Sequence, residues 1–162
     1  MAKQSRDLSL RKHLADLLLM KGAHVSFDEA VSGLPVALRG AKPPGAAHSA
    51  WQLLEHMRIA QEDILDFSRN PRYQEKEFPD DYWPASAAPP SEHAWKSSIQ
   101  QFQKNLDEMR KLIADEKNNL FAKIPHGTGQ TLLREALLVA DHNSYHLGQL
   151  MLLRKMMDST ES

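Results

Sequence analysis

The chain contains no cysteine. That absence removes disulfide frameworks, thiolate metal ligands and a cysteine nucleophile together, and it points to a reducing, cytoplasmic setting. Any metal must therefore be held by nitrogen and oxygen. An excess of charge of one sign is also lacking, because 20 lysines and arginines stand against 21 aspartates and glutamates in 162 residues. Nucleic acids and anionic membrane surfaces are met by basic patches, so neither is an expected partner. Long apolar runs are missing too. The opening MAKQSRDLSLRKHLADLLLMKG starts basic, but Asp7, Lys12, His13 and Asp16 interrupt its leucines, which suits neither a secretory leader nor a membrane span. It reads as a helix of the mature protein. Alternating β-branched runs, the mark of strands, occur nowhere.

What is present is helical periodicity. A length of 162 residues supports one sizeable core and hardly two, so one domain over residues 1–162 is expected. The first long helix is predicted from about Asp7 to Lys21, with Leu10, Leu14, Leu17 and Leu18 on one stripe and Gly22 as its stop. Ser26-Phe27-Asp28-Glu29 forms a capping box for a short helix that Gly33 and Pro35 end. Ser49-Ala50-Trp51-Gln52 forms a second box, opening the second long helix, which reaches the break at Asn70-Pro71. Ser91 caps the third, whose stripe is Trp95, Ile99, Phe102, Leu106, Met109 and Ile113. The fourth starts near Gln130 or Thr131 and runs to about Met157, apolar over more than half its circumference, and is expected to be the most buried. Each stripe must find others to leave water, which predicts an all-α four-helix bundle. Its long connection between helices 2 and 3 holds five prolines with Tyr73, Phe78, Tyr82 and Trp83, and is expected to pack over one end of the bundle.

Eight histidines are distributed over this pattern. His24, His48 and His126 fall in loops, His93 in an exposed first turn and His13 at a stripe edge, and these read as surface residues. His56 is different, with Leu53, Ile59 and Ala60 about one turn away, so its ring leaves the second long helix on a mainly apolar face. In ADHNSYHLGQLMLLRK, Ala140 to Lys155, His142 and His146 lie four apart among Leu138, Val139 and Leu150 and project together. By itself this spacing is weak evidence, since one buried hydrogen-bonded pair would explain it. A third inward histidine changes the balance, because several unpaired imidazoles in an apolar setting each carry a desolvation cost that a cation removes. The i, i+4 spacing brings two rings within about 5–6 Å at Cβ, and a third completes a set that leaves coordination positions open. His56, His142 and His146 are thus the candidate metal ligands. The expected cofactor is a divalent transition metal, zinc or nickel first and iron or manganese next. Protons are expected to displace it below about pH 6, near the ordinary histidine pKa.

WQLLEHMRIAQEDIL, followed much later by LLREALLVADHNSYHLGQLMLLRK, resembles the DinB-like (damage-inducible) family of metal-dependent proteins. The resemblance covers nearly the whole chain and is most specific at H-N-S-Y-H-L-G-Q-L. It implies a four-helix bundle, commonly a homodimer, with one metal ligand from the second long helix and two from the fourth, matching His56, His142 and His146. It also implies kinship with thiol-dependent transferases that use low-molecular-weight thiols such as bacillithiol or mycothiol. A fold carries over more readily than a reaction. Three readings follow: a metal-dependent transferase or hydrolase of unknown substrate, a non-catalytic metal-binding or stress-response module that dimerises, and a structural bundle whose histidines are buried and neutral. Asp63, Tyr145 and Gln149 are candidates for orienting ligands or substrate, although each also reads as an ordinary packing residue. Trp83 is expected to line the pocket. Glu55 and Asp141 are turned about 100° away from the histidines beside them and are discounted as ligands.

Overall fold

The computed structural model describes residues 2–20 and 22–158, with side chains from residue 4 onward. Its helices are α1 (Ala2–Leu18), α2 (Phe27–Val31), α3 (Ala50–Arg69), α4 (Glu92–Ala114) and α5 (Leu132–Asp158), and the described residues contain no strand beyond an isolated bridge between Lys123 and Thr131. The four long helices form the bundle, and α2 packs against α5.

Both capping boxes are formed. The hydroxyl of Ser26 accepts from the backbone N–H of Glu29, that of Ser49 accepts from Gln52, and each third residue returns a side-chain bond to the cap backbone. Ser91 likewise accepts from the N–H of Ala94. The first helix is the exception to the predicted boundaries. It starts at Ala2 and stops at Leu18, short of Gly22, because Met20 takes a left-handed φ of 53° that ends the helix first. The predicted end at Lys21 lies outside the described residues.

Two apolar clusters fill the bundle. Leu53, Leu54 and Met57 of α3 join Phe27, Phe102 and the second half of α5, with the Phe27 and Phe102 rings stacked at 4.0 Å. Leu65 of α3 joins Leu14, Leu18, Met109 and the first half of α5, Leu132 to Ala140. Helices α3 and α5 thus meet in opposite order, and His56, His142 and His146 fall where one cluster gives way to the other. Polar groups mark that junction: Gln61 Nε2 donates to the carbonyl of Phe102 at 2.7 Å, and Asn143 Nδ2 donates to Gln61 Oε1 at 2.7 Å. Buried amides of this kind fix the register of two helices, because any slip leaves them unpaired.

The expectation that the last helix is the most buried is not met. Ten of the 20 residues of α3 are buried, against 11 of the 27 of α5, which leaves Leu137, Tyr145 and Leu152 exposed. The reason is position: α3 has α4 on one side, α5 on another and the long connection along a third.

That connection lies alongside α3, not over an end of the bundle. Its Tyr73 and Tyr82 hydroxyls reach Asp63, in the second half of α3, while the carbonyl of Ala87 accepts from the hydroxyl of Ser49 at its N-cap. Gly40 makes the near end fit, since a Cβ there would stand 2.5 Å from that of Ala88.

Candidate metal centre

His56 leaves the middle of α3, and His142 and His146 leave one face of α5 toward it. The ring centroids are 4.9 Å apart for His56 and His142, and 4.5 Å for each of the other two pairs. One nitrogen from each ring lies within 4.8 Å of the others, and among the described residues these three form a cluster able to hold a metal ion. Neither Glu55 nor Asp141 enters it. Glu55 is paired with Arg58 at 2.9 Å and accepts from Ser98, and Asp141 is exposed.

The hydrogen bonds behind the rings set their tautomers. His56 Nδ1 stands 3.0 Å from the carbonyl of Tyr82, and His146 Nδ1 stands 2.7 Å from Gln149 Oε1. A carbonyl oxygen only accepts, so each Nδ1 carries the proton and each Nε2 keeps a free lone pair. His142 Nε2 lies 3.0 Å from His56 Nε2, and His142 Nδ1 is buried with no well-formed hydrogen bond among the described residues, the neighbouring Asn143 side chain being its nearest polar influence. No neutral tautomer of His142 satisfies both of its nitrogens. With Nε2 protonated it bonds His56 but leaves a bare Nδ1, and with Nδ1 protonated two lone pairs face each other. A divalent cation taking those lone pairs resolves the opposition, so the donor set fits the metal that the sequence pattern suggests.

Burial, more than any neighbouring charge, holds the imidazoles neutral. It lowers His56 and His142 to about 4 and lowers His146 in the same direction, with the other histidines adding to the shift of His56 and His142. Three neutral imidazoles at pH 7 are three ready nitrogen donors.

Aromatic rings close one side. The indole of Trp83 stacks on His56 at 3.8 Å and 3°, and His48 stacks on the same indole at 3.9 Å and 14°, so Trp83 backs the histidine cluster and is not in the wall of the cavity it was expected to line. His48 is therefore not the free surface residue that its loop position suggests, and burial lowers its pKa as well. His13, His24 and His93 are exposed. His126 is exposed but anchored, with Nε2 donating to the carbonyl of Phe67 at 2.8 Å. Gln149 orients His146, and Tyr145, although 63% exposed, sets its ring edge-to-face with that of His146 at 4.8 Å. Asp63, 8% exposed, accepts from the hydroxyls of Tyr82 at 2.7 Å and Tyr73 at 3.0 Å. Burial first, and then the adjacent carboxylate, push Tyr73 up to about 12 and raise Tyr82 further, so both phenols remain donors.

A cavity of about 590 Å³ opens beside the cluster, with His142, Asp63, Tyr73, Tyr82, His126 and Arg134 in its wall. Arg134 is held by the buried carboxylate of Glu135 at 2.9 Å. A second, smaller hollow of about 220 Å³ lies against His48 and Gln149.

The fold and the cluster together define an all-helical bundle with three inward imidazoles converging from two antiparallel helices. The chain belongs to the DinB superfamily, whose family model matches residues 20–150. Neither the curated proteins nor the solved structures give a match.

Proposed function

We propose that His56, His142 and His146 hold one divalent transition-metal ion and that the protein carries out a metal-assisted reaction on a small molecule, a thiol-dependent transfer or a hydrolysis. The supporting observation is the pair of hydrogen bonds behind the rings, from His56 to the Tyr82 carbonyl and from His146 to Gln149, which turn Nε2 lone pairs toward a common point. Outer partners of this type accompany metal-ligating histidines because they fix the tautomer and raise ligand basicity. Imidazole nitrogens suit zinc and nickel, with iron and manganese as weaker fits. Three protein ligands leave positions for water or a thiol, and a bound ion lowers the pKa of either. The 590 Å³ cavity beside His142 has the capacity of a small-molecule site. Trp83, stacked on His56, shields that ring from water.

Zinc and nickel are expected to raise the unfolding midpoint of metal-free protein, with about 2.7 kcal/mol of stabilisation when free ion exceeds Kd 100-fold, while calcium, which prefers oxygen ligands, has no effect. Absence of a shift with zinc, nickel, iron and manganese alike removes the metal reading and leaves a bundle with buried neutral histidines. Turnover of a thiol with an electrophile, or of a hydrolysable ester, separates an enzyme from a metal-binding module that does no chemistry.

The exposed stripe of Leu137, Tyr145 and Leu152 on α5 further supports a homodimer in which a second copy covers that face. Sedimentation at micromolar concentration is expected to show a species of twice 18.4 kDa, and the 18.4 kDa species alone would refute it.

A further inference from the structure

We propose that the connection over residues 71–90 is a strap whose seating is coupled to metal binding, with Asp63 and Tyr82 as the positioning residues that link the two. The inference rests on the metal reading above and concerns what controls that site.

Tyr82 is held from two directions. Its hydroxyl donates to Asp63 at 2.7 Å, and its carbonyl accepts from His56 Nδ1 at 3.0 Å. Asp63 stands two turns beyond His56 on the same helix, is 8% exposed and forms no ion pair among the described residues, and the phenols of Tyr82 and Tyr73 donate hydrogen bonds to it. A carboxylate that accepts from two donors of one segment favours the seated segment, because detachment exchanges two hydrogen bonds to a charged group for bonds to water. The next residue, Trp83, lies flat on His56.

Between Tyr73 and Tyr82 the strap is lightly held. Residues 74–81 are exposed, and the turn at Asp80–Tyr82 is braced from within by Tyr82 N–H to the Pro79 carbonyl at 3.0 Å, Asp81 N–H to the Glu77 carbonyl at 2.9 Å, and Glu77 N–H to the Asp81 carboxylate at 2.8 Å. Such a turn moves as a unit. When it is seated, His56 has an acceptor for Nδ1–H and a ring against its face, and one tautomer with one orientation prevails. When it lifts, both constraints go, and Nε2 is no longer fixed toward His142 and His146. A cation on Nε2 holds the proton on Nδ1 and makes it a better donor to Tyr82. Seating therefore favours the metal, and by linkage the metal favours seating by the same factor. Tyr73, Phe78 and Tyr82 also wall the cavity, so the same movement shapes the space for substrate.

The test measures zinc affinity by chelator competition in wild type, Tyr82→Phe, Tyr73→Phe and Asp63→Asn, together with amide exchange of residues 81–83 with and without zinc. Tyr82→Phe and Asp63→Asn are expected to weaken zinc about 10-fold, the low end for loss of an outer partner, and Tyr73→Phe less, since its backbone does not bond His56. Zinc should slow exchange at residues 81–83 in wild type, and much less in Tyr82→Phe. If Asp63→Asn fails to fold, Tyr82→Phe decides alone, because phenylalanine keeps the ring and the carbonyl. Wild-type zinc binding with unchanged affinity in the variants, or with exchange indifferent to zinc, overturns the strap and leaves the metal reading standing. No zinc binding by the wild type overturns both.

Discussion

His142→Ala is expected to lower zinc affinity by more than about 100-fold, beyond the range that loss of an outer partner produces, and to leave the bundle folded. The ring it removes faces His56 with nitrogens 3.0 Å apart, so its loss leaves two imidazoles, one from each helix, where there were three. Alanine is the better helix former at this position, and Asn143 still pins α5 to Gln61 next door, so the helix has no reason to unwind. His13→Ala is the matched control, since His13 is exposed on α1 and lies outside the cluster. Calorimetry with zinc should separate the two variants cleanly. Equal affinity in wild type, His142→Ala and His13→Ala would remove the three-histidine site and put a buried hydrogen-bonded histidine network in its place.

The same histidines show what a sequence makes legible. His142 and His146 stand four apart on an apolar face, and His56 has apolar neighbours one turn away, so helical geometry alone turns all three inward. The capping boxes at Ser26 and Ser49 were equally readable, because both partners of each bond lie within three residues. Boundaries set by a single unusual backbone conformation were not. Nothing in the sequence marks Met20 for a left-handed φ, so the pattern points to Gly22 for the stop that Met20 supplies.

Contacts made by the loops are the least legible part. His48 lies in a glycine- and alanine-rich loop and reads as solvated, yet it stacks on an indole 35 residues further along the chain. His126 reads the same way and is tied to the carbonyl of Phe67. Asp63 carried a hint, a carboxylate two turns past His56 on a mostly buried helix, but its donors Tyr73 and Tyr82 lie 10 and 19 residues away in a segment without periodicity. Asn143 is inconspicuous between two histidines, although a buried amide on an apolar helix face needs a partner across the bundle, and Gln61 is that partner. Local rules predict elements and the faces they present. Which loop residue meets which face depends on closure of the whole fold.

Metal-free protein is expected to lose stability as pH falls from about 6.5 toward 4. Burial holds His56 and His142 at about 4 in the native state, whereas in the unfolded chain they titrate near the ordinary value of 6.5. Between those limits the unfolded chain takes up protons that the native state refuses, so acid draws the equilibrium toward unfolding; above 6.5 both states are neutral and below 4 both are charged, so neither range adds to the effect. His146 shifts in the same direction. Carboxylates held low by cations, Asp16 beside Lys12 and Glu92 beside Arg39, add their own loss at the acid end, so the window from pH 6.5 to 5 isolates the histidines. Zinc should follow the native values: protons compete only where the folded imidazoles accept them, so affinity holds through pH 6 and falls nearer 4, below the range expected for solvated histidines. Urea midpoints at pH 7, 6 and 5, with chelator and with excess zinc, measure both effects. A chelated protein whose midpoint is flat over that window has solvated imidazoles, and zinc loss centred on pH 6 would say the same of the ligands.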